Sequence, residues 1–188
     1  MNKNVNIPNA LSIIRLLGVP VFIYFALISK EDVLAITVLA IAGATDYLDG
    51  KLARAWNQTS AFGALLDPAA DRIYIVATLI ILFVRDAISL WILVLLLGRD
   101  AILAVLTMVM KARGVSLLEV TFLGKAATFN LLYAFPLLLL ATHDSLAGDV
   151  AFATGWAFAL WGVILYVYTG LIYFQNGVKR IRVHNIAL

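Results

Sequence analysis

Six apolar stretches of about twenty residues each dominate the chain, at 10–29, 33–50, 61–84, 87–110, 121–141 and 150–174. Each is long enough to cross the ~30 Å hydrocarbon core of a bilayer as a helix. The ~10-residue alternation of a membrane barrel is absent. Apolar residues make up 63% of the 188 and charged residues 13%, against roughly 45–50% and about 25% in a soluble domain. A core of this size could not hide so much apolar surface, so lipid is the solvent for most of the chain. An ordinary soluble globule and a disordered chain are both excluded. The first stretch carries Arg15 inside it and lacks a small-residue cleavage pattern, so it reads as a span and not a leader. With no cysteine, disulfides and thiolate metal sites drop out.

The connections sort by charge. Lys3, Lys51, Arg54, Lys111, Arg113, Lys179, Arg180 and Arg182 lie on one side of the alternating spans, and only Lys30 and Arg85 lie on the other. The positive-inside rule then places both termini in the cytoplasm, as an even number of spans requires. The expected fold is all-α: a polytopic membrane protein of six transmembrane helices, a single domain over 1–188. An interfacial segment is expected at 1–9 and a basic cytoplasmic tail at 175–188, either solvated or resting on anionic headgroups. The expected location is the bacterial plasma membrane. No nucleic-acid partner is expected.

Carboxylates at membrane depth cost several kcal/mol unless paired or hydrated, so they point to function. The second and third stretches hold four of them, Asp46, Asp49, Asp67 and Asp71. Spacings of i,i+3 and i,i+4 put each pair on one face of a helix. The connection is short, so the two helices are antiparallel neighbours and the four acids converge near their cytoplasmic ends. Together they repel unless a cation joins them. Helix capping does not explain Asp46 and Asp49, which lie towards a C-terminus, the wrong end of the dipole. An all-oxygen set suits a hard divalent ion, magnesium or manganese. His143 and His184 lie outside the cluster, which argues against zinc. Between the pairs, Gly50, Ala53 and Gly63 allow close approach to the backbone, and Arg54 offers a fork for a phosphate. A cation transporter using the carboxylates as an ion site is the competing reading. It leaves Arg54 and the glycines at these spacings unexplained.

The run Asp46-x-x-Asp49-Gly50-x-x-Ala53-Arg54, eight residues, then Gly63-x-x-x-Asp67-x-x-x-Asp71 resembles the signature of the CDP-alcohol phosphatidyltransferases, with every position filled. Pro8, Asn9 and Arg15 add to a resemblance to the bacterial glycerophospholipid branch. The resemblance implies that Asp46, Asp49 and Asp67 hold the metal and that Asp71 contributes to a second metal position and acts as general base. It implies that Asp49, Gly50, Ala53, Arg54 and Gly63 line the CDP cleft. The donor would be CDP-diacylglycerol, the acceptor hydroxyl would attack the phosphorus bearing the diacylglycerol, and CMP would leave. Family members are usually homodimers, embedded among membrane lipids.

Arg99 and Lys125 are the candidates for an acceptor pocket; the alternatives are a local pair of Arg99 with Asp100 and a Lys125 that snorkels to the interface. Phosphatidylglycerophosphate synthases typically carry Gly-Lys-x-Lys-Thr where this chain has Gly124-Lys125-Ala126-Ala127-Thr128. A phosphomonoester acceptor such as glycerol 3-phosphate favours the extra lysine; phosphatidylglycerol carries one charge and does not need it. The stretch also resembles the actinobacterial cardiolipin synthases of this family. The expected acceptor is therefore phosphatidylglycerol, giving cardiolipin, with glycerol 3-phosphate as the alternative. The aromatics of the sixth stretch, Trp156, Trp161, Tyr166, Tyr168 and Tyr173, are expected as lipid contacts and interfacial anchors, or as the wall of a lipid groove.

Overall fold

The computed structural model describes residues 7–55, 63–142 and 145–186; within its helices the side chains of 7–10, 46–47, 49–50, 52–55, 63–69 and 185–186 lie outside the description. Among the described residues there are six helices and no strand. They are α1 (Ile7–Ile23), which runs on into a π-wound turn (Tyr24–Ser29), α2 (Asp32–Ala55), α3 (Gly63–Val84), α4 (Leu90–Ala112), α5 (Phe122–Leu140) and α6 (Leu146–Ile186). They fall on the six apolar stretches. Leu11–Ser29, Leu90–Ala112, Phe122–Leu140 and Leu146–His184 are long and apolar enough to cross a membrane, and Asp32–Thr45 is a shorter apolar helix. Hydroxyls on the apolar helices bond back to their own backbone: Thr78, Thr107, Thr154 and Thr169 each donate to the carbonyl four residues earlier, which meets the demand of a polar group in lipid locally.

The chain forms two compact units, 1–85 and 86–188. In the first, α1 and its π-wound turn bury a stripe spaced by three and four residues: Ser12, Arg15, Val19, Phe22 and Ala26. Its opposite face exposes Ile14, Leu17 and Val21, the outward apolar surface expected of a helix in lipid. α3 answers with Ala70, Tyr74, Ala77, Thr78, Ile81 and Leu82, all buried at helical spacing. Lys30 ends the first helix in a left-handed turn, φ 57°, with its amide and that of Glu31 on the Phe25 carbonyl.

The charges of that connection behave differently from solvated loop charges. Asp32, at the first turn of α2, is 1% exposed, and Arg85, just past α3, grips it with both terminal nitrogens, Nη2 to Oδ2 at 3.0 Å. Arg85 Nη1 also donates to the Ala26 carbonyl at 3.2 Å. One bidentate fork thus ties the ends of α1, α2 and α3.

The second unit is built on α6. Along it Ala151, Gly155, Ala159 and Gly162 are buried at four- and three-residue steps, the small-residue seam by which helices approach closely without a hydrophobic drive. A Cβ on Gly155 would sit 3.1 Å from Leu137 Cβ, and one on Gly162 would sit 2.8 Å from Leu131 Cδ2. The α6 position rises as its α5 partner falls, so these two helices run antiparallel. Gly170 lies against Arg99 and Gly177 against Leu106; both pairs are 71 apart, so α4 and α6 run parallel. Gly114, at φ 68°, stops α4. Thr121 Oγ1 caps α5 by accepting from the Gly124 amide at 3.2 Å.

The tail is helical. Residues 175–186 continue α6, which at 41 residues is about 60 Å long, roughly twice the hydrocarbon thickness. Val178 and Ile181 pack on the cluster of Leu106, Met110 and Val115. Arg180 Nη1 donates to the carbonyls of Ser116 (3.3 Å) and Leu117 (3.1 Å). The tail is an amphipathic helix end docked on the segment after α4.

Asp32→Ala leaves the largely enclosed Arg85 without the Asp32 carboxylate and is expected to destabilise the protein by about 3–5 kcal/mol, read as a lowered melting temperature in detergent. Asp32→Leu combined with Arg85→Met is expected to recover most of that loss. A double variant as unstable as Asp32→Ala would show that the pair has no special role.

Candidate active site

α2 carries Asp46, Asp49, Gly50, Ala53 and Arg54, and α3 carries Gly63, Asp67 and Asp71. Both segments are continuous helix, so the i,i+3 and i,i+4 pairs each occupy one helix face. The side chains of all of these except Asp71 lie outside the described residues, and among the described residues no group of three metal-ligand side chains is found. The donor set on the two helices is all oxygen, which fits a hard divalent cation. Asp46 lies nine residues before the end of α2, well inside the helix, which removes capping as its explanation.

Asp71 is described in full. Its side chain is 52% exposed, and Arg15 Nη1 lies 3.5 Å from its Oδ1. Tyr74, one turn further along α3, donates its hydroxyl to the Arg15 carbonyl at 2.9 Å. A Cβ on Gly18 would collide with that hydroxyl, so glycine there is what lets the tyrosine reach the α1 backbone. Neither Arg15 nor Tyr74 was among the expected site residues. The signal for Arg15 was present, an arginine inside an apolar stretch; Tyr74 carried none.

In the second unit Arg99 and Asp100 do pair, Nη1 to Oδ1 at 3.0 Å. Tyr166, 8% exposed, donates to the same Asp100 oxygen at 2.6 Å, and its ring lies 3.9 Å from the Arg99 guanidinium carbon. The Tyr173 ring centroid is 5.9 Å from the same carbon. Arg99 Nε is buried with no hydrogen-bond partner. Tyr173 in turn anchors the start of α5, receiving a hydrogen bond from the Thr121 amide at 2.8 Å and sharing one with its Oγ1. Tyr173 therefore links the Arg99 cluster to the turn that carries Lys125, which is itself exposed.

Two aromatics thus correct the expectation for the sixth span. Tyr166 and Tyr173 hold polar partners inside the unit, whereas Trp161 and Tyr168 are exposed as expected. A groove is also present: an apolar cleft of about 460 Å³ between α4, α5 and α6, with Trp91, Phe135, Trp156 and Tyr168 among its walls.

Comparison with known proteins decides the class. The family model for CDP-alcohol phosphatidyltransferase matches residues 5–167. The chain belongs to the CDP-alcohol phosphatidyltransferase family. It is 49% identical over 177 residues to the cardiolipin synthase (CMP-forming) of Streptomyces coelicolor, covering 92% of this chain and 82% of that protein. It is 41% identical over 172 residues to a putative cardiolipin synthase of Mycobacterium tuberculosis, with the same coverage. A CDP-diacylglycerol–glycerol-3-phosphate 3-phosphatidyltransferase of Haemophilus influenzae is 43% identical over 89 residues, 46% of this chain and 48% of that one. The chain is accordingly a membrane phosphatidyltransferase of phospholipid biosynthesis, in a family that is generally dependent on a divalent metal. The transporter reading gains nothing from these matches.

Tyr166→Phe removes a charge-assisted hydrogen bond to Asp100 and is expected to cost about 1.5–3 kcal/mol, seen as a lower melting temperature in detergent. An unchanged melting temperature would show that Asp100 is held without it.

Proposed function

We propose that this phosphatidyltransferase is a cardiolipin synthase, transferring the phosphatidyl group of CDP-diacylglycerol to phosphatidylglycerol. The observation that carries this is the 49% identity, over 92% of the chain, with the CMP-forming cardiolipin synthase of Streptomyces coelicolor. One structural observation favours the same acceptor. Ala127, at the place of the second lysine in the Gly-Lys-x-Lys-Thr run, is fully buried in α5. A packing residue stands where a doubly charged phosphomonoester would want a cation.

In this reading Asp46, Asp49 and Asp67 hold magnesium, or manganese, with Asp71 contributing to a second metal position. When bound, the metal supplies positive charge to the pyrophosphate and to the departing phosphate. Asp49, Gly50, Ala53, Arg54 and Gly63 line the CDP cleft, with the Arg54 guanidinium on the phosphates. Asp71 accepts the proton of the phosphatidylglycerol hydroxyl. That oxygen bonds to the β-phosphorus, the bond from this phosphorus to the bridging oxygen breaks, and CMP leaves with the electron pair. Arg99, clamped by Tyr166, and Lys125 bind the acceptor phosphodiester. The enzyme is a homodimer in the bacterial plasma membrane, its single domain spanning the bilayer six times, with both termini and the carboxylate ends on the cytoplasmic side. The charge bias of the connections supports that orientation.

The test is a purified-enzyme assay that offers phosphatidylglycerol and glycerol 3-phosphate separately with CDP-diacylglycerol and identifies the lipid formed. Cardiolipin from phosphatidylglycerol is the expected product. Phosphatidylglycerophosphate formed from glycerol 3-phosphate, with no cardiolipin, would overturn the acceptor assignment.

A further inference from the structure

Arg15 is a buried charge to which the proposed chemistry gives no role. It lies on the buried stripe of α1, 3% exposed, where an unmatched guanidinium would cost several kcal/mol. The stripe beyond it, Val19, Phe22 and Ala26, is apolar, so the helix could pack on α3 without an arginine. Among the described residues, it faces a half-exposed carboxylate: Nη1 lies 3.5 Å from Asp71 Oδ1.

The surroundings fix where the guanidinium stands. Tyr74 reaches across from α3 and donates to the Arg15 carbonyl at 2.9 Å. It does so through the gap left by Gly18, and its ring packs on Phe22 with centroids 6.1 Å apart. Asp71 and Tyr74 are one turn apart on α3, so the same helix face that presents the carboxylate also locks the register of α1. The backbone of Arg15 is held by α3, and its side chain returns to α3 three residues earlier.

We infer that Arg15 is a positioning residue for Asp71. Its guanidinium engages one carboxylate oxygen from the buried side and sets the orientation in which the rest of the carboxylate faces the site. On this inference Arg15 acts through Asp71. The inference rests on the assignment of Asp71 as base. A carboxylate turned away from its working orientation loses rate steeply, since a misplacement of about 1 Å can cost on the order of 100-fold.

The experiment uses the full-length protein in detergent with four variants, Arg15→Gln, Arg15→Lys, Tyr74→Phe and Asp71→Asn. Turnover, the KM for CDP-diacylglycerol and Mn2+ binding by electron paramagnetic resonance are measured for each. Arg15→Gln is expected to lower kcat roughly tenfold or more, with the KM for CDP-diacylglycerol and the Mn2+ affinity close to those of the parent. Arg15→Lys is expected to keep part of the lost rate, having the charge without the fork. Tyr74→Phe, which frees α1 but leaves both charges, is expected to fall in the same direction by less.

Unchanged kcat in Arg15→Gln overturns the inference. So does a raised donor KM at unchanged kcat, which would place Arg15 on the donor, and so does loss of Mn2+ binding, which would make it a scaffold of the metal site. If Arg15→Gln aggregates on size exclusion, Tyr74→Phe decides, and unchanged kcat there is the overturning result. Normal turnover in Asp71→Asn removes the base assignment and this inference with it. An inactive Asp71→Asn beside a fully active Arg15→Gln removes the inference alone.

Discussion

In a chain whose solvent is hydrocarbon, each ionic side chain needs a partner, and much of this structure is organised by that matching. Asp32 and Arg85 close one end of the first unit with a bidentate fork. Towards the other end of α1, Arg15 meets Asp71. In the second unit Arg99, Asp100 and Tyr166 form a cluster that satisfies a carboxylate from two sides. The three arrangements differ in one respect that bears on function. Asp32 is fully enclosed, whereas Asp71 is half exposed, with its arginine behind it. The closed pair holds helices together; the open one leaves its carboxylate half exposed.

Apolar packing does a different job here from its role in a soluble protein. Large side chains such as Leu17, Trp91, Phe122 and Trp161 face outward, and small ones line the contacts. Gly155 and Gly162 bring α5 and α6 together; Gly170 makes room for the stem of Arg99, and Gly18 for the Tyr74 hydroxyl. Two of these four glycines thus lie beside the ionic groups. Close helix approach is what lets a tyrosine or arginine on one helix reach a backbone or carboxylate on the next.

The six helices were legible from hydropathy because lipid burial and helix formation select the same residues over most of each span. They part company at α6. Hydropathy falls after Phe174, yet the helix continues to Ile186 because Val178 and Ile181 still have an apolar surface to cover. Arg85 reads as a connection charge because its pairing with Asp32 spans 53 residues, a separation that spacing rules do not reach. Tyr166 and Tyr173 read as interfacial anchors for the same reason, since their partners lie on α4 and at the start of α5. The family was legible from the signature, because its residue types recur at short fixed spacing within one segment. Arg15 could be noticed but not assigned without the contact to Asp71.

The central claim is that the carboxylates of α2 and α3 carry a metal-dependent transfer from a CDP-alcohol. Its most direct test is release of CMP from CDP-diacylglycerol by the purified protein with phosphatidylglycerol present, measured before and after chelation. CMP release is expected to stop when divalent metal is removed and to return when magnesium is restored. Undiminished CMP release from thoroughly chelated protein would contradict the account.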